Sequence, residues 1–313
     1  MKTTEIFINE YGRLRSGWRF TAFLFLFFLL STVFGGALQL IFSRLPFDLE
    51  KTSLFPFIFQ NSVLLTMALL GGWLCGKFLE DLPFRALGGW FTNGWLEDLS
   101  LGLALGAVSI LFAAFIASAL GGINFQINQT SESSSIFWTL GASLIVFTIG
   151  AMAEEAFFRG YMLQTFSRAN LFWFGTILTS VFFATLHSNN PGAAFLSWIN
   201  TFLAGIWFAV AYLKTRNLWF PFGIHLTWNW LQGAVLGMNV SGIKEITVAP
   251  LLVTATNNDL TWLNGGDYGI EGGVACTVAL TFSIALIWFA PFLKPTPEML
   301  ALSSQESPKL LTA

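Results

Sequence analysis

The chain alternates long apolar stretches with short polar breaks. A bilayer core about 30 Å thick needs roughly 20 apolar residues in a helix. Windows of that kind fall at 18–43, 54–78, 99–121, 136–165, 171–187, 193–213, 218–236 and 272–293. The fifth and seventh are short, and the fourth runs on past the membrane. Between them lie turn-prone segments such as 188-SNNPG-192 and 121-GGINFQINQTSESSS-135. The pattern predicts an all-α, polytopic membrane helix bundle of about eight transmembrane helices. A single bundle, 18–293, is expected after an N-terminal segment, 1–17. The tail 294–313, with Pro295, Pro297 and Pro308, reads as disordered. The longest connection, 237–271, joins a β-prone run, 246-ITVAPLLVTAT-256, to glycine-rich sequence and is expected to be a structured cap rather than a lid.

Composition removes the competing picture of two soluble domains. Hydrophobic residues make up 55% and charged residues 10%, against about 25% charged in an ordinary soluble domain. The net charge of −2 and the lack of a basic block exclude a nucleic-acid partner and leave the lipid bilayer as the surrounding medium. Cys75 and Cys276 fall in or beside apolar segments, which argues against a disulfide framework. The basic lead is followed by an apolar run longer than the roughly 7–15 residues of a signal peptide's core, so it reads as an anchor that stays. With the N-terminus inside, 12 of the 15 basic residues fall on the cytoplasmic side and only Arg44, Lys51 and Lys244 on the other. That asymmetry predicts a multi-pass protein with both termini cytoplasmic.

Three ionisable groups interrupt this apolar background at 151-AMAEEAFFRGYM-162. Charges at membrane depth are rare and usually face a bundle interior or a wet cavity. Glu155 and Arg159 are spaced i, i+4 and share a helix face, so they can pair, while Glu154 points about 100° away. Only two histidines occur, His187 at the end of FFATLH and His225 at the start of HLTWN, where Asn229 shares its face. Each feature alone has a plain reading: an interfacial ion pair, or a histidine satisfied by packing. Together they form a set that can hydrolyse an amide. A carboxylate can take a proton from water, an imidazole can share that work or bind a metal, and an Asn or His donor can stabilise the oxyanion. His187, His225 and Glu154 would also make a Zn²⁺ first shell. The HExxH signature is absent, so the sequence permits zinc without demanding it, and a metal-free mechanism is equally open.

The order EExxxR, FxxxH, HxxxN on successive helices resembles the CPBP family of intramembrane proteases. These comprise the type II CAAX prenyl endopeptidases and bacterial relatives that include bacteriocin-processing and self-immunity proteins. The motifs here are Glu154-Glu155-Ala156-Phe157-Phe158-Arg159, Phe183-Ala184-Thr185-Leu186-His187 and His225-Leu226-Thr227-Trp228-Asn229, in a core at 136–236. The flanks 13-RLRSGWR-19 and 82-LPFRALGG-89 are also similar to bacterial members. The resemblance implies that Glu154 activates water, supported by Glu155 and Arg159, and that His187 assists the water or the leaving amine. His225 and Asn229 would polarise the substrate carbonyl, or His225 would ligate a metal. The implied substrate is a membrane-associated or hydrophobic peptide or protein. Two other readings remain: a non-catalytic scaffold or immunity-type binding protein, and a small-solute transporter, which lacks the repeat symmetry common to transporters.

Depth along the helices conflicts with a common site. At 1.5 Å per residue, Glu154 lies about 25 Å below the outer start of the fourth window. His187 lies about 24 Å above the inner start of the fifth, and His225 only about 12 Å above the inner start of the seventh. Convergence requires the fourth span to begin above the bilayer, or the fifth to tilt or start deep.

Overall fold

The computed structural model describes residues 6–44 and 54–303. Lys51 and the tail beyond 303 lie outside the described residues.

Eight helices occupy the eight apolar windows. They are α1 Ser16–Phe42, α2 Phe55–Glu80, α3 Trp95–Ala119, α4 Ser133–Arg168, α5 Phe172–Leu186, α6 Phe195–Thr215, α7 Trp219–Trp230 and α8 Val274–Phe289. Helices α1 to α4 and α6 are long and apolar enough to cross a membrane, and α5 and α8 are shorter apolar helices. The protein is an integral membrane helix bundle. Long apolar side chains such as Phe25, Phe115 and Phe137 remain exposed on its flanks. In water such a surface would be costly, whereas lipid makes it the stable outer face.

Two departures from the expected pattern concern the ends of the bundle. The tail expected to be disordered contains a further short helix, α9 Pro297–Ser303, whose Met299 is buried. Glu298 on α9 pairs with Arg85 at 3.4 Å, so a local apolar anchor and an ion pair order a segment that composition alone reads as solvated. At the other end of the bundle, β1 Ile123–Ile127 and β2 Leu252–Thr256 pair antiparallel, with Ile123 opposite Thr256. Only β2 was signalled by the β-prone run; β1 fell in what the sequence reads as a turn-rich loop.

The tightest helix crossing is between α3 and α7. A Cβ on Gly102 or Gly106 would collide with the backbone oxygens of Phe220 and Ile224. Glycines four apart let the two backbones touch, as small residues do in membrane helix pairs. This contact fixes the height of α7, and with it His225.

Helix α4 is not regular throughout. Residues Ala156–Met162 form a widened π-type stretch in which Gly160 leaves helical geometry, with ψ −113°. The Arg159 carbonyl accepts from Gln164 Nε2 at 3.3 Å, and the same amide reaches Leu87 O at 2.9 Å. Such bulges re-aim side chains and cluster at functional sites.

Below the kink sits a buried ion triad. Glu80 at the end of α2 accepts from Arg19 at the start of α1 and from Arg168 at the end of α4, the latter at 2.8 and 3.0 Å. All three are buried. Arg19, Arg168 and Arg159, counted above as loop charges, are therefore internal structural cations. The bias of basic residues toward one end survives their removal.

Candidate active site

Glu154, His187, His225 and Asn229 line one cavity of about 140 Å³. That is room for several waters, since each needs on the order of 10–15 Å³ by this measure. The adjacent glutamates behave differently. Glu154 keeps 26% of its side chain exposed, whereas Glu155 is fully buried. Glu155 Oε1 lies 3.2 Å from Arg159 Nη1 and 2.9 Å from His225 Nδ1. Arg159 also donates from Nη2 to Gly205 O at 3.0 Å. Its guanidinium sits 4.9 Å from the Phe183 and Phe208 ring centroids, an apolar cage that suits a desolvated cation.

The histidines are oriented by their Nδ1 atoms. His187 Nδ1 is 2.8 Å from the Phe183 carbonyl, which can only accept, so Nδ1 carries the hydrogen. Its Nε2 is then the acceptor nitrogen. His225 is held between carboxylates: Nδ1 donates to Glu155, and Nε2 lies 3.7 Å from Glu154 Oε2. The imidazole stacks on Phe208 with ring centroids 4.5 Å apart, so it has little freedom to rotate away.

Two features of the connections remove the depth conflict. Glu154 precedes the end of α4 by 14 residues, and His187 follows the start of α5 by 15. Both therefore stand roughly 20 Å above the same turn. Helix α4 runs further inward than its apolar window, and α5 starts where it ends. His225, only six residues into α7, reaches this level because the α6–α7 turn is itself buried. Leu218 N–H donates to Gly88 O at 2.9 Å, Trp219 Nε1 to Trp90 O at 2.9 Å, and the Asn217 amide to Asp98. The segment 81–94 after α2, together with Asp98 at the start of α3, folds over this turn and satisfies polar groups that would otherwise be stranded.

The 237–271 connection is a cap, tied at several points. Glu271 accepts from Trp228 Nε1 at 3.1 Å and from the Ser241 N–H and Oγ at 2.6 and 2.9 Å. Asn190 Nδ2 donates to Ser241 O at 3.0 Å. Ser241, Glu271 and Asn190 all line the cavity, yet sequence reasoning missed them. The only signal was a lone glutamate in a glycine-rich loop. Within the cap, burial and the neighbouring Glu271 push the Tyr268 hydroxyl up to about 12, so it stays protonated at neutral pH.

Residues 135–231 match the family model for type II CAAX prenyl endopeptidase Rce1-like proteins. The core is similar to that endopeptidase family. The Rce1-like segment holds Glu154, Glu155, Arg159, His187, His225 and Asn229, while the cap lies beyond it. The uncharacterized protein YyaK of Bacillus subtilis (strain 168) is 28% identical over 152 residues, which is 47% of this chain. The match spans 50% of YyaK's length.

A zinc centre fits this site only in part. Each histidine donates Nδ1 and leaves Nε2 as an acceptor, the arrangement common in metal-bound imidazoles. Among the described residues, however, no three His, Cys, Asp or Glu side chains converge closely enough to hold an ion. His187, His225 and Glu154 as arranged are not a three-ligand set, and no step below is routed through a metal.

Proposed function

We propose that the chain is an intramembrane endopeptidase that cleaves a peptide bond with a water activated by Glu154. The observation that carries this reading is the 3.7 Å separation of Glu154 Oε2 and His225 Nε2 within the cavity that His187 and Asn229 also line. A water there can donate one O–H to the carboxylate and the other to the imidazole, leaving its lone pair free to attack a carbonyl carbon. Glu154 takes the first proton as the C–O bond forms. The Asn229 amide is the donor available to the tetrahedral oxyanion. Collapse breaks the C–N bond, and Glu154 returns the proton to the leaving amine, with His187 Nε2 as the second acceptor on that wall. In this scheme His225 orients the water rather than polarising the carbonyl. Glu155 holds the His225 tautomer and Arg159 compensates the Glu155 charge, a carboxylate–imidazole pairing of the kind that orients catalytic histidines.

The substrate class is a membrane-associated or hydrophobic peptide or protein. Both termini of the enzyme lie in the cytoplasm, supported by the excess of basic residues at that end. The test is to incubate the lipid-reconstituted protein with a membrane fraction and read new N-termini by mass spectrometry. New termini with the wild-type protein that vanish with Glu154→Gln are expected. Identical termini profiles from both proteins would refute the reading.

A further inference from the structure

We infer that Glu271 forms a cation-binding subsite, so that the peptide cut at Glu154 carries a lysine or arginine at a fixed position close to the scissile bond. The inference rests on the endopeptidase reading and names the substrate class of the same cavity. Glu271 stands in the cap, outside the matched segment 135–231, and lines the cavity together with Glu154. Its half-buried carboxylate accepts from three neutral donors, the Trp228 indole at 3.1 Å and the Ser241 N–H and hydroxyl at 2.6 and 2.9 Å. Those bonds hold it in place without cancelling its charge. Among the described residues, no arginine, lysine or histidine pairs with it. Glu155 has Arg159 and His225, and Glu80 has Arg19 and Arg168. Glu154 faces His225 and is the base of the scheme above, in which Glu271 takes no step. A carboxylate partly removed from water with no counter-ion is costly, and a cationic ligand relieves that cost.

The neighbouring walls suit the rest of such a side chain. Trp207 and Trp228 line the same cavity, with ring centroids 5.5 Å apart in an edge-on contact. Cys276 and Leu280, one turn apart on α8, complete an apolar surface beside them. Lysine and arginine combine an apolar stem with a charged head. The stem packs on these walls, while the head meets the Glu271 carboxylate and the face of an indole, which attracts cations. An apolar side chain would leave the carboxylate without a counter-charge, and an acidic one would set a like charge against it. Trp228 also fixes the register. It directly precedes Asn229, the donor assigned to the oxyanion, and consecutive Cα atoms are about 3.8 Å apart. A head held at Glu271 therefore belongs to a residue close to the attacked carbonyl.

The experiment uses the full chain reconstituted in lipid. New N-termini produced from a membrane fraction are mapped, and two peptides are made from one cut sequence, differing only in norleucine for the basic residue. The readout is the ratio of kcat/KM for the basic peptide to that for its norleucine twin, in the wild type, Glu271→Gln and Ser241→Ala. The wild-type map should show lysine or arginine enriched at one position from the cut. The wild-type ratio should be about 10-fold, as expected of one half-buried ion pair with a cation–π contact, and should fall to about two-fold in Glu271→Gln. Ser241→Ala loosens the same loop but keeps the charge, so both rates should drop together and the ratio should hold. A ratio unchanged by Glu271→Gln, or lowered equally by Ser241→Ala, overturns the inference and leaves the endopeptidase reading intact. The map needs no variant: cuts with no enriched basic position overturn the inference in the same way. Absence of any new termini refutes that reading and the inference with it.

Discussion

Glu155 Oε1 stands 2.9 Å from His225 Nδ1, so the second glutamate of the pair serves the imidazole and not the water. Its neighbour Glu154 is the partly exposed one, across from Nε2 of the same ring. Two identical side chains, adjacent in sequence, are given separate tasks by the helix turn between them.

That division predicts opposite phenotypes. Glu154→Gln should lower peptide hydrolysis by about 10²–10⁴-fold and leave the thermal transition near the wild-type value. Glu155→Ala strands the buried Arg159 guanidinium and should cost about 3–5 kcal/mol of stability. Parallel thermal denaturation and activity measurements on the two variants check the split. Equal stability losses would contradict it.

His187 is half-buried, and its Nδ1 bond goes to a carbonyl of its own helix. His187→Ala should therefore reduce kcat by about 10²-fold with a stability change within about 1 kcal/mol. A variant that loses its fold instead would make His187 a structural residue.

The α3–α7 crossing is the fold's contribution to the height of His225. Gly106→Val places a branched side chain against the Ile224 backbone and should destabilise the protein by at least about 1–3 kcal/mol. Gly141→Val, where nothing lies within reach of a Cβ, should be nearly silent. Urea or thermal unfolding in detergent distinguishes them.

Below the kink, Glu80 is buried between two arginines. Glu80→Ala removes the carboxylate that both buried cations share and should cost about 3–5 kcal/mol. Replacing Glu80 together with Arg19 and Arg168 by apolar residues of similar volume should recover much of that loss. The recovery, read from thermal transitions, separates burial of charge from loss of packing.

Since no three ligating side chains converge among the described residues, extraction of zinc with a chelator should leave hydrolysis within about two-fold of the untreated protein, against the near-complete loss expected when a catalytic zinc is removed. Loss on chelation and recovery with added Zn²⁺ would require His187 and His225 to close on a metal during turnover.

Helix positions were legible because membrane spans are written in apolar length, and each of the eight windows became a helix. The motif residues were legible because charge and imidazole stand out in so greasy a background. Relative depth was not. It depends on how far α4 runs past its apolar window and on the burial of the α6–α7 turn beneath residues 81–94, and neither has a hydropathy signature. Arg19 and Arg168 misled for a related reason: a basic residue next to an apolar run looks the same whether it meets water or Glu80. Glu271 and Ser241 were invisible because a cap is assembled from hydrogen bonds between loops distant in sequence.

The central claim is that Glu154 activates the water. Its most direct test is the hydrolysis rate of Glu154→Gln relative to wild type, both reconstituted in lipid with matched thermal transitions, on a peptide identified from the new N-termini. The account predicts a loss of at least about 10²-fold, with Glu154→Asp retaining more than Glu154→Gln. A Glu154→Gln protein that cuts at the wild-type rate would contradict it.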